Sequence, residues 1–194
     1  VYESQTASMA AQLATHFHEA GRLEEAATYL TQAGDAAAQV YAHPEAIAYY
    51  RQAIDLTVEV DGDVEALTYL YTRLGRTLEL TSQFEEALSV YEEMERAAPA
   101  RGDRRMVLVS LMSRAKLRSM PVSIRDPERG RALGARALTL AGELGDRAAE
   151  AQILWVLYLA NQWAGRWQEA IDCGERSLAL ARELNLRVQM AQTL

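Results

Sequence analysis

Apolar residues recur at three- and four-residue intervals through most of this chain, and this spacing predicts amphipathic helices. The stretch 69–99 shows the pattern most clearly. A polar break at Ser82-Gln83 divides it into two helices, and Pro99 ends the second one. No stretch alternates apolar and polar residues as a half-buried strand would. The chain is therefore predicted to be all-α, with inner faces formed by Tyr71, Leu74 and Leu78 in the first helix and by Phe84, Ala87, Leu88, Tyr91 and Met94 in the second.

The same spacing predicts helices on both sides of this stretch. A first helix spans about 5–20, Gly21 ends it, and a partner helix follows. Further along, a helix spans 103–119, and a link at 120–125 separates it from a helix that begins at Asp126-Pro127-Glu128. The predicted inner faces are Met9, Leu13, Phe17 and Ala20 in the first helix, Ala26, Leu30 and Ala33 in its partner, and Leu108, Leu111, Met112 and Ala115 in the later helix.

The dipeptide Gly-Asp is a candidate signal for a helix boundary. Glycine can take the left-handed conformation that closes a helix, and aspartate can accept hydrogen bonds from the first free amides of the next one. The dipeptide begins at Gly34, Gly62, Gly102 and Gly145. At the first copy this interpretation leaves a short helix at 36–42 before His43-Pro44, followed by a helix at 45–60 with Ala46, Tyr50 and Ala53 on its inner face.

Two segments near the end of the chain match each other at an offset of about forty residues. Half or more of the positions in 137–154 agree with those in 177–194. A period of this length is typical of helical repeats, which stack into one continuous core. We expect a single solenoid over 1–194, with units at about 5–33, 35–61, 63–101, 103–144 and 146–184 and the start of a further unit at 186–194. That last segment and the missing initiator Met favour a fragment of a longer chain.

The order of large, small and aromatic positions in 69–99 resembles the tetratricopeptide repeat. Leu74-Gly75 matches the Leu-Gly pair of its first helix, and Ala87 and Tyr91 match the small and aromatic positions of its second. The resemblance implies a right-handed superhelical α-solenoid of antiparallel helix pairs, in which the first helix of each pair lines a concave groove. It also implies the groove positions, which here are Tyr69, Thr72, Arg76 and Glu79, then Met106, Val109, Ser113 and Lys116, then Gln152, Trp155, Leu159 and Gln162, with Thr15 and His18 from the first unit.

The opening segment His16–Leu56 is similar to the region that follows the nucleotide-binding module in large bacterial signalling ATPases. That family includes cyclase-linked and LuxR-type transcriptional regulators. Its helical repeats form a sensor or autoinhibitory arm, so the resemblance implies a regulatory role for this chain.

Composition narrows the class of partner. The formal net charge is -7, and acidic and basic residues are interleaved as on solvated helix faces. The densest basic cluster, Arg101, Arg104 and Arg105, is too small for direct nucleic-acid binding. The single cysteine, Cys173, excludes an internal disulfide and is expected to be a small buried hydrophobe. Neither a signal peptide nor an apolar run of about 18 residues is present, so we expect a cytoplasmic chain without membrane contact.

Sequence motifs for catalysis and cofactor binding are absent. The chain has no P-loop, no Gly-rich dinucleotide loop, no nucleophile elbow and no metalloprotease helix motif. His16 and His18 are two residues apart on a predicted helix, so they point to different faces and cannot share a metal. We expect no enzymatic activity, no cofactor and no metal.

The sequence therefore favours a non-catalytic scaffold that binds a protein or peptide segment in its groove. We expect this scaffold to be the regulatory or sensor arm of a larger bacterial signalling or transcription-regulating protein. One candidate for the bound segment is another domain of the same full-length protein. Two alternatives stay open. One is a small-molecule (inducer) sensor with the 120–125 link beside its pocket, and the other is a structural element that forms homo-oligomers through the truncated end.

Three of the groove residues have a second interpretation. Trp155 is a candidate energetic anchor for a ligand, or it packs between helices together with Trp163 and Trp167. Arg76 and Lys116 are candidates for binding an acidic group of a ligand, or they form surface ion pairs.

Overall fold

The computed structural model describes the backbone of residues 2–98 and 102–187 and the side chains of 7–98 and 102–187. Within these ranges the chain forms nine helices and no strand, so the all-α prediction is confirmed. The helices are α1 (Tyr2–Glu19), α2 (Leu23–Gln39), α3 (His43–Glu59), α4 (Val64–Leu80), α5 (Phe84–Ala97), α6 (Arg104–Ser119), α7 (Pro127–Leu144), α8 (Arg147–Trp163) and α9 (Trp167–Glu183).

The helices belong to two compact units, Val1–Val90 and Tyr91–Leu194, and the boundary between the units falls within α5. In the first unit α1 packs on α2, α2 on α3, and α3 on α4. In the second unit α6 packs on α7, α7 on α8, and α8 on α9, while α6 also contacts α8. Each unit is therefore built from consecutive helical hairpins, as the apolar periodicity predicts.

One type of turn closes most of the helices. A residue with positive φ follows the helix, and the amide of the next residue donates to the carbonyl five residues earlier at 2.8 or 2.9 Å. This is the Schellman arrangement, which satisfies the last carbonyls and reverses the chain. The left-handed residues are Gly21, Tyr41, Asp61, Ser82, Gly145, Gly165 and Asn185, after α1, α2, α3, α4, α7, α8 and α9.

Three of the four Gly-Asp dipeptides begin a helix as predicted. The carboxylates of Asp63, Asp103 and Asp146 accept hydrogen bonds from the amides of Ala66, Met106 and Ala149 at 3.0, 2.7 and 2.9 Å. Asp126 caps α7 in the same way through the amide of Arg129 at 3.0 Å. Before α4, however, the left-handed residue is Asp61 and not Gly62.

The predicted helix break at Gly34-Asp35 is wrong, because α2 continues through both residues to Gln39. A Cβ added to Gly34 would lie 2.6 Å from Cε1 of Tyr50, so this glycine allows α3 to approach α2 closely. The turn that closes α2 instead has Tyr41 in the left-handed conformation, which an aromatic residue seldom adopts. The separate helix at 36–42 therefore does not form, and α3 begins at His43.

The predicted inner face of α1 is also wrong in part. Met9 and Leu13 are 63% and 38% exposed, whereas Ala10 and Ala14 are buried. Small residues bring α1 close to α2, and the large apolar side chains beside them stay in solvent. Phe17 does face α2, where its ring stacks on Tyr29 with the ring centroids 5.2 Å apart. Ala20 is exposed after the end of the helix.

The predicted inner faces of the later helices are confirmed for most residues. In α4 and α5 the buried residues include Tyr71, Leu74, Leu78, Ala87, Tyr91 and Met94. Leu108, Leu111 and Ala115 of α6 join a core cluster with Ala137, Ile153 and Leu157, and the partly buried Met112 packs against it. The predicted stop at Pro99 and the segment 188–194 lie outside the described residues.

The close contact between α2 and α3 has a counterpart in the last hairpin, with the partners exchanged. The intervals from Gly34 to Ala46, Tyr50 and Ala53 equal those from Tyr158 to Ala170, Gly174 and Ser177. In this hairpin Tyr158 of α8 supplies the large side chain and Gly174 of α9 is the glycine. A Cβ added to Gly174 would lie 3.5 Å from the Tyr158 ring. The two hairpins fill the same position with an aromatic ring supplied by opposite helices.

Several ion pairs join residues that are separated by 35 to 41 positions, which is about one repeat. An exposed pair contributes only about 0.2–1 kcal/mol, so these pairs reflect the spacing of the repeats more than they stabilise the fold, except for the partly buried pair Asp35–Arg73. They are Arg51–Glu86 and Asp35–Arg73 in the first unit, and Glu95–Arg136, Arg104–Glu143, Glu128–Arg166 and Arg147–Glu183 in the second.

Substitution of Gly34 by alanine should destabilise the protein by about 1–3 kcal/mol, because the added methyl group overlaps the rigid Tyr50 ring. The matched control is Gly142→Ala in α7, where the nearest atom to an added Cβ is 3.9 Å away. That control should gain about 0.5–1 kcal/mol from the better helix propensity of alanine. Urea unfolding followed by circular dichroism measures both changes, and equal effects of the two substitutions would contradict the packing role of Gly34.

Candidate functional site

In the first unit, a polar cluster centred on Asp35 connects α2, α3 and α4. The Tyr50 hydroxyl donates to Oδ1 of Asp35 at 2.7 Å, and the Tyr69 hydroxyl donates to Oδ2 at 2.8 Å. Nε of Arg73 donates to the same carboxylate at 3.0 Å and to the Tyr50 oxygen at 3.2 Å. The Arg73 guanidinium also lies 6.0 and 5.9 Å from the ring centroids of Tyr50 and Tyr69.

Both tyrosines of this cluster have a phenol pKa above the ordinary value. Tyr50 is fully buried, and this burial, followed by its hydrogen bond to Asp35, raises the pKa of the phenol far above its ordinary value. Burial and Asp35 also raise the pKa of Tyr69. Both hydroxyls therefore act as hydrogen-bond donors that orient the Asp35 carboxylate, and the cluster fixes three helices at one point.

The groove residues predicted in α4 lie beside this cluster. Tyr69 is 44% exposed even though its hydroxyl is bound to Asp35. The Thr72 hydroxyl donates to the Thr68 carbonyl of its own helix at 2.8 Å. Arg76 forms an ion pair with Glu79 at 2.8 Å, and the Glu79 carboxylate is largely buried. The alternative of an ion pair thus holds for Arg76, and α4 presents Tyr69 and Thr72 on the same face.

In the second unit, the groove residues predicted in α6 divide into two groups. Met106 is fully buried, so the expectation that it contacts a ligand is wrong. Its position just after the capping Asp103 turns the side chain inward, where it belongs to the core. Val109, Ser113 and Lys116 are half-buried and follow one another at four- and three-residue spacing, so they share one side of α6.

The residues predicted in α8 form a row along one side of that helix. Gln152 is exposed, and Trp155, Leu159 and Gln162 are half-buried. Trp155 packs against the core cluster with part of its ring accessible, so both interpretations of this residue apply in part. α6 contacts α8, and the tetratricopeptide resemblance implies that the two rows share one surface. We call them the α6/α8 face: Val109, Ser113, Lys116, Gln152, Trp155, Leu159 and Gln162.

Trp163 and Trp167 do not pack between helices as the second interpretation of Trp155 required. They are 46% and 62% exposed, on either side of the turn between α8 and α9. The Arg125 guanidinium, from the link between α6 and α7, lies 4.8 Å from the Trp163 ring centroid. A cation at this distance is attracted by the ring, which explains how an exposed Trp is tolerated here.

Thr15 and His18 lie on α1, in grooves between α1 and α3. The tetratricopeptide resemblance implied groove positions for Thr15 and His18. The apolar periodicity, however, placed Met9 and Leu13 on the inner face of α1, so it did not reveal the small residues Ala7 and Ala11 that line these grooves. The Asp35 cluster was missed for a related reason. Tyr50, Tyr69 and Arg73 lie 15, 34 and 38 residues after Asp35 in the sequence, and only the interior position of Gly34-Asp35 in α2 brings them together.

The described residues include no cluster of three or more His, Cys, Asp or Glu side chains that could hold a metal ion. Cys173 is half-buried, and burial raises the pKa of its thiol, so the thiolate form that reacts is disfavoured. No helix in the described ranges is long and apolar enough to cross a membrane.

Replacing Tyr50 by phenylalanine should cost about 1–2 kcal/mol near pH 8, because the Asp35 carboxylate loses one buried donor. The change should also alter the pH dependence of stability. In the folded protein the pKa of Tyr50 is raised, so the stability that this group contributes is fully present below about pH 10 and is lost progressively at higher pH, where the unfolded chain releases this proton. Tyr50→Phe removes part of that loss.

Urea titrations at several values between about pH 8 and pH 11 measure this difference. The matched control is Tyr69→Phe, which removes a donor to the same carboxylate from a side chain that is 44% exposed and should therefore cost less. An identical decline of stability with pH in wild type and Tyr50→Phe would show that Tyr50 does not contribute to it.

Comparison with known proteins supports the fold. No family model matches the sequence, and no curated protein matches it. Among solved structures, the chain is similar to BtubC (BKLC) from P. vanneervenii, with a TM-score of 0.75 and 19% identity over 94% of this chain and 73% of that one. It is also similar to the apo form of RapI, with a TM-score of 0.77 and 9% identity over 96% of this chain and 74% of that one.

A third similar structure is aspartyl phosphate phosphatase F from Bacillus subtilis, with a TM-score of 0.76 and 14% identity over 88% of this chain. The match covers 44% of the phosphatase, so this chain spans less than half of its length. At these identities the likeness concerns the fold. The expectation of a helical-repeat fold is thereby confirmed, and the chain has the tetratricopeptide-type repeat fold.

Proposed function

We propose that this chain is a non-catalytic scaffold that binds a protein or peptide segment, with the α6/α8 face as the main contact surface of the second unit. The observation that carries the proposal is the composition of that face. Val109, Trp155 and Leu159 are apolar and partly accessible, and polar residues such as Ser113 and Gln162 stand between them. A surface of this kind can bury apolar side chains of a ligand while amide and hydroxyl groups orient its backbone.

The first unit contributes a smaller contact surface on α4. Tyr69 and Thr72 are its accessible members, and the Asp35 cluster holds the Tyr69 ring in a fixed position. A rigid aromatic side chain loses little conformational freedom on binding, which favours it as an anchor. Arg76 is already paired with Glu79, so an acidic ligand group would have to compete with that carboxylate.

The scaffold is proposed to be the regulatory or sensor arm of a larger bacterial signalling or transcription-regulating protein, in the cytoplasm. The similarity of 16–56 to the arm of bacterial signalling ATPases supports this context. Likeness to an aspartyl phosphate phosphatase of Bacillus subtilis is consistent with it. Another domain of the same full-length protein is one candidate for the bound segment. Neither nucleic acid nor a membrane surface is a proposed partner, since the net charge is -7.

A small-molecule sensor is a second candidate function, favoured by the grooves of about 420 and 350 Å³ in the first unit. They lie between α1 and α3, and no residue of the 120–125 link lines either of them. Self-association is favoured by Trp167 and Ile171, which are 62% and 52% exposed and four residues apart on α9. A rise of Tm with a metabolite would support the first, and a mass by light scattering above that of the monomer would support the second.

The proposal for the α6/α8 face can be tested with peptides that are selected from a displayed random library for binding to the wild-type chain. Binding of the selected peptides should weaken at least about tenfold in the double variant Leu159→Ala/Gln162→Ala, because an apolar contact and a hydrogen-bonding amide are lost together. Fluorescence polarisation with synthetic copies of the peptides measures the Kd. Trp155→Ala is a less clear test, since this side chain also packs on the core.

The matched control is Leu178→Ala/Gln168→Ala, which removes the same two side-chain types from α9. It should leave the Kd unchanged. Both double variants must first show the helical circular dichroism of the wild type. Peptides that bind all three proteins equally, or a library that yields no binder, would refute the assignment of the α6/α8 face.

A further inference from the structure

Two adjoining grooves in the first unit lie between α1 and α3, with α2 beneath them. Their volumes are about 420 and 350 Å³, and both are lined by Ala11, Thr15 and Tyr49. Because they share these three residues, they form one continuous cleft, which we call the α1–α3 cleft. It involves none of the residues of the α6/α8 face.

The α1–α3 cleft exists because one of its walls carries small side chains. Ala7, Ala11 and Thr15 follow one another at four-residue spacing on α1, so they line one side of that helix. The opposite wall on α3 carries larger side chains, including Tyr49 and Gln52. Leu30 of α2 contributes an apolar floor. The small residues of α1 therefore leave space for a side chain of a ligand. That side chain could contact both the apolar groups and the amide groups of the cleft.

Each half of the cleft contains one carboxylate. Glu45 lines the larger groove and Asp55 lines the smaller one, and both are exposed. Neither has an ion-pair partner among the side chains that the structure describes. Among the described lining residues, His18 is the one basic side chain. The lining of each half thus contains one carboxylate with no ion-pair partner among the described side chains.

We propose that the α1–α3 cleft binds an extended peptide segment with two basic side chains, one beside Glu45 and one beside Asp55. Ten residues separate the two acids on α3, which corresponds to about 15 Å along the helix axis. An extended chain advances about 3.3–3.6 Å per residue, so basic residues at positions i and i+4 span this distance and point to the same side. Arginine suits both sites, because its fork can bind a carboxylate in a bidentate manner.

The uncharged groups of the cleft favour a peptide over a simple polyamine. Gln12 and Gln52 each present an amide that can both donate to and accept from a peptide backbone. Tyr49 stands between the two pockets and supplies a flat apolar surface for the residues between the arginines. A polyamine has amines to match the carboxylates but offers no carbonyl acceptor to these amides.

The direct test is fluorescence anisotropy with a labelled peptide of sequence Gly-Arg-Ala-Ala-Ala-Arg-Gly. Binding to the wild type should weaken at least about tenfold in Glu45→Gln/Asp55→Asn, which removes both charges. It should weaken similarly in Ala11→Leu, which keeps every charge and fills the cleft. Ser8→Leu is a second filling variant that acts on the larger groove alone. A peptide with citrulline in place of both arginines should not bind.

Two control proteins distinguish a specific site from attraction to an acidic protein. Glu24→Gln/Glu85→Gln removes the same amount of charge from exposed positions elsewhere in the unit, and Ala48→Leu adds the same bulk to an exposed position of α3. Both should bind as the wild type does. The proposal is overturned if the peptide does not bind, if either control weakens binding as much as its matched variant, or if spermine displaces the peptide at a lower concentration than unlabelled peptide does. These results leave the α6/α8 face untouched, so the two proposals can fail separately.

Discussion

The left-handed turn that closes most of the helices is the constraint on which the rest of this structure depends. A left-handed residue lets one amide reach the carbonyl five residues earlier, and the chain then reverses within a few residues. The core of a hairpin forms only if both helices end where their apolar faces coincide. Residues as different as Gly145, Ser82 and Tyr41 occupy this position, so tertiary packing imposes the geometry even where the local residue disfavours it. An exception is α6, which ends in an extended conformation at Met120 and is followed by the link 120–125, which is longer than these turns.

The sequence sufficed for the fold class and for most helices, because these depend on local periodicity and capping residues such as Asp103 and Asp146. Prediction from the sequence was wrong where one residue type has two possible structural roles. Gly34 closes no helix and instead allows the approach of Tyr50, and a single sequence does not distinguish the two uses. The candidate site was predicted less well, since the position of Met106 in the repeat implies a groove contact while its contacts bury it. The Asp35 cluster and the α1–α3 cleft depend on contacts between distant residues, which periodicity does not encode.

Two surfaces with different chemistry follow from this architecture. The α6/α8 face in the second unit combines apolar and polar side chains with one charged residue, Lys116, and it suits a ligand that buries apolar groups. The α1–α3 cleft in the first unit is small, acidic and divided into two pockets, and it suits isolated basic side chains. A chain with both surfaces has the means to recognise two unlike segments. In each case the helices that carry the surface are fixed by buried contacts, so little reorganisation is required on binding.

The ion pairs between residues 35 to 41 positions apart have a consequence for how such a chain evolves. Arg104 joins the end of the helix that follows its own, and Arg147 does the same in the next hairpin. Because the spacing of each pair is close to one repeat, a tandem duplication or deletion of one repeat would leave each arginine next to an equivalent acidic residue. Array length can therefore change by whole repeats without creating an unmatched charge, whereas an insertion of half a repeat would separate the pairs that span it.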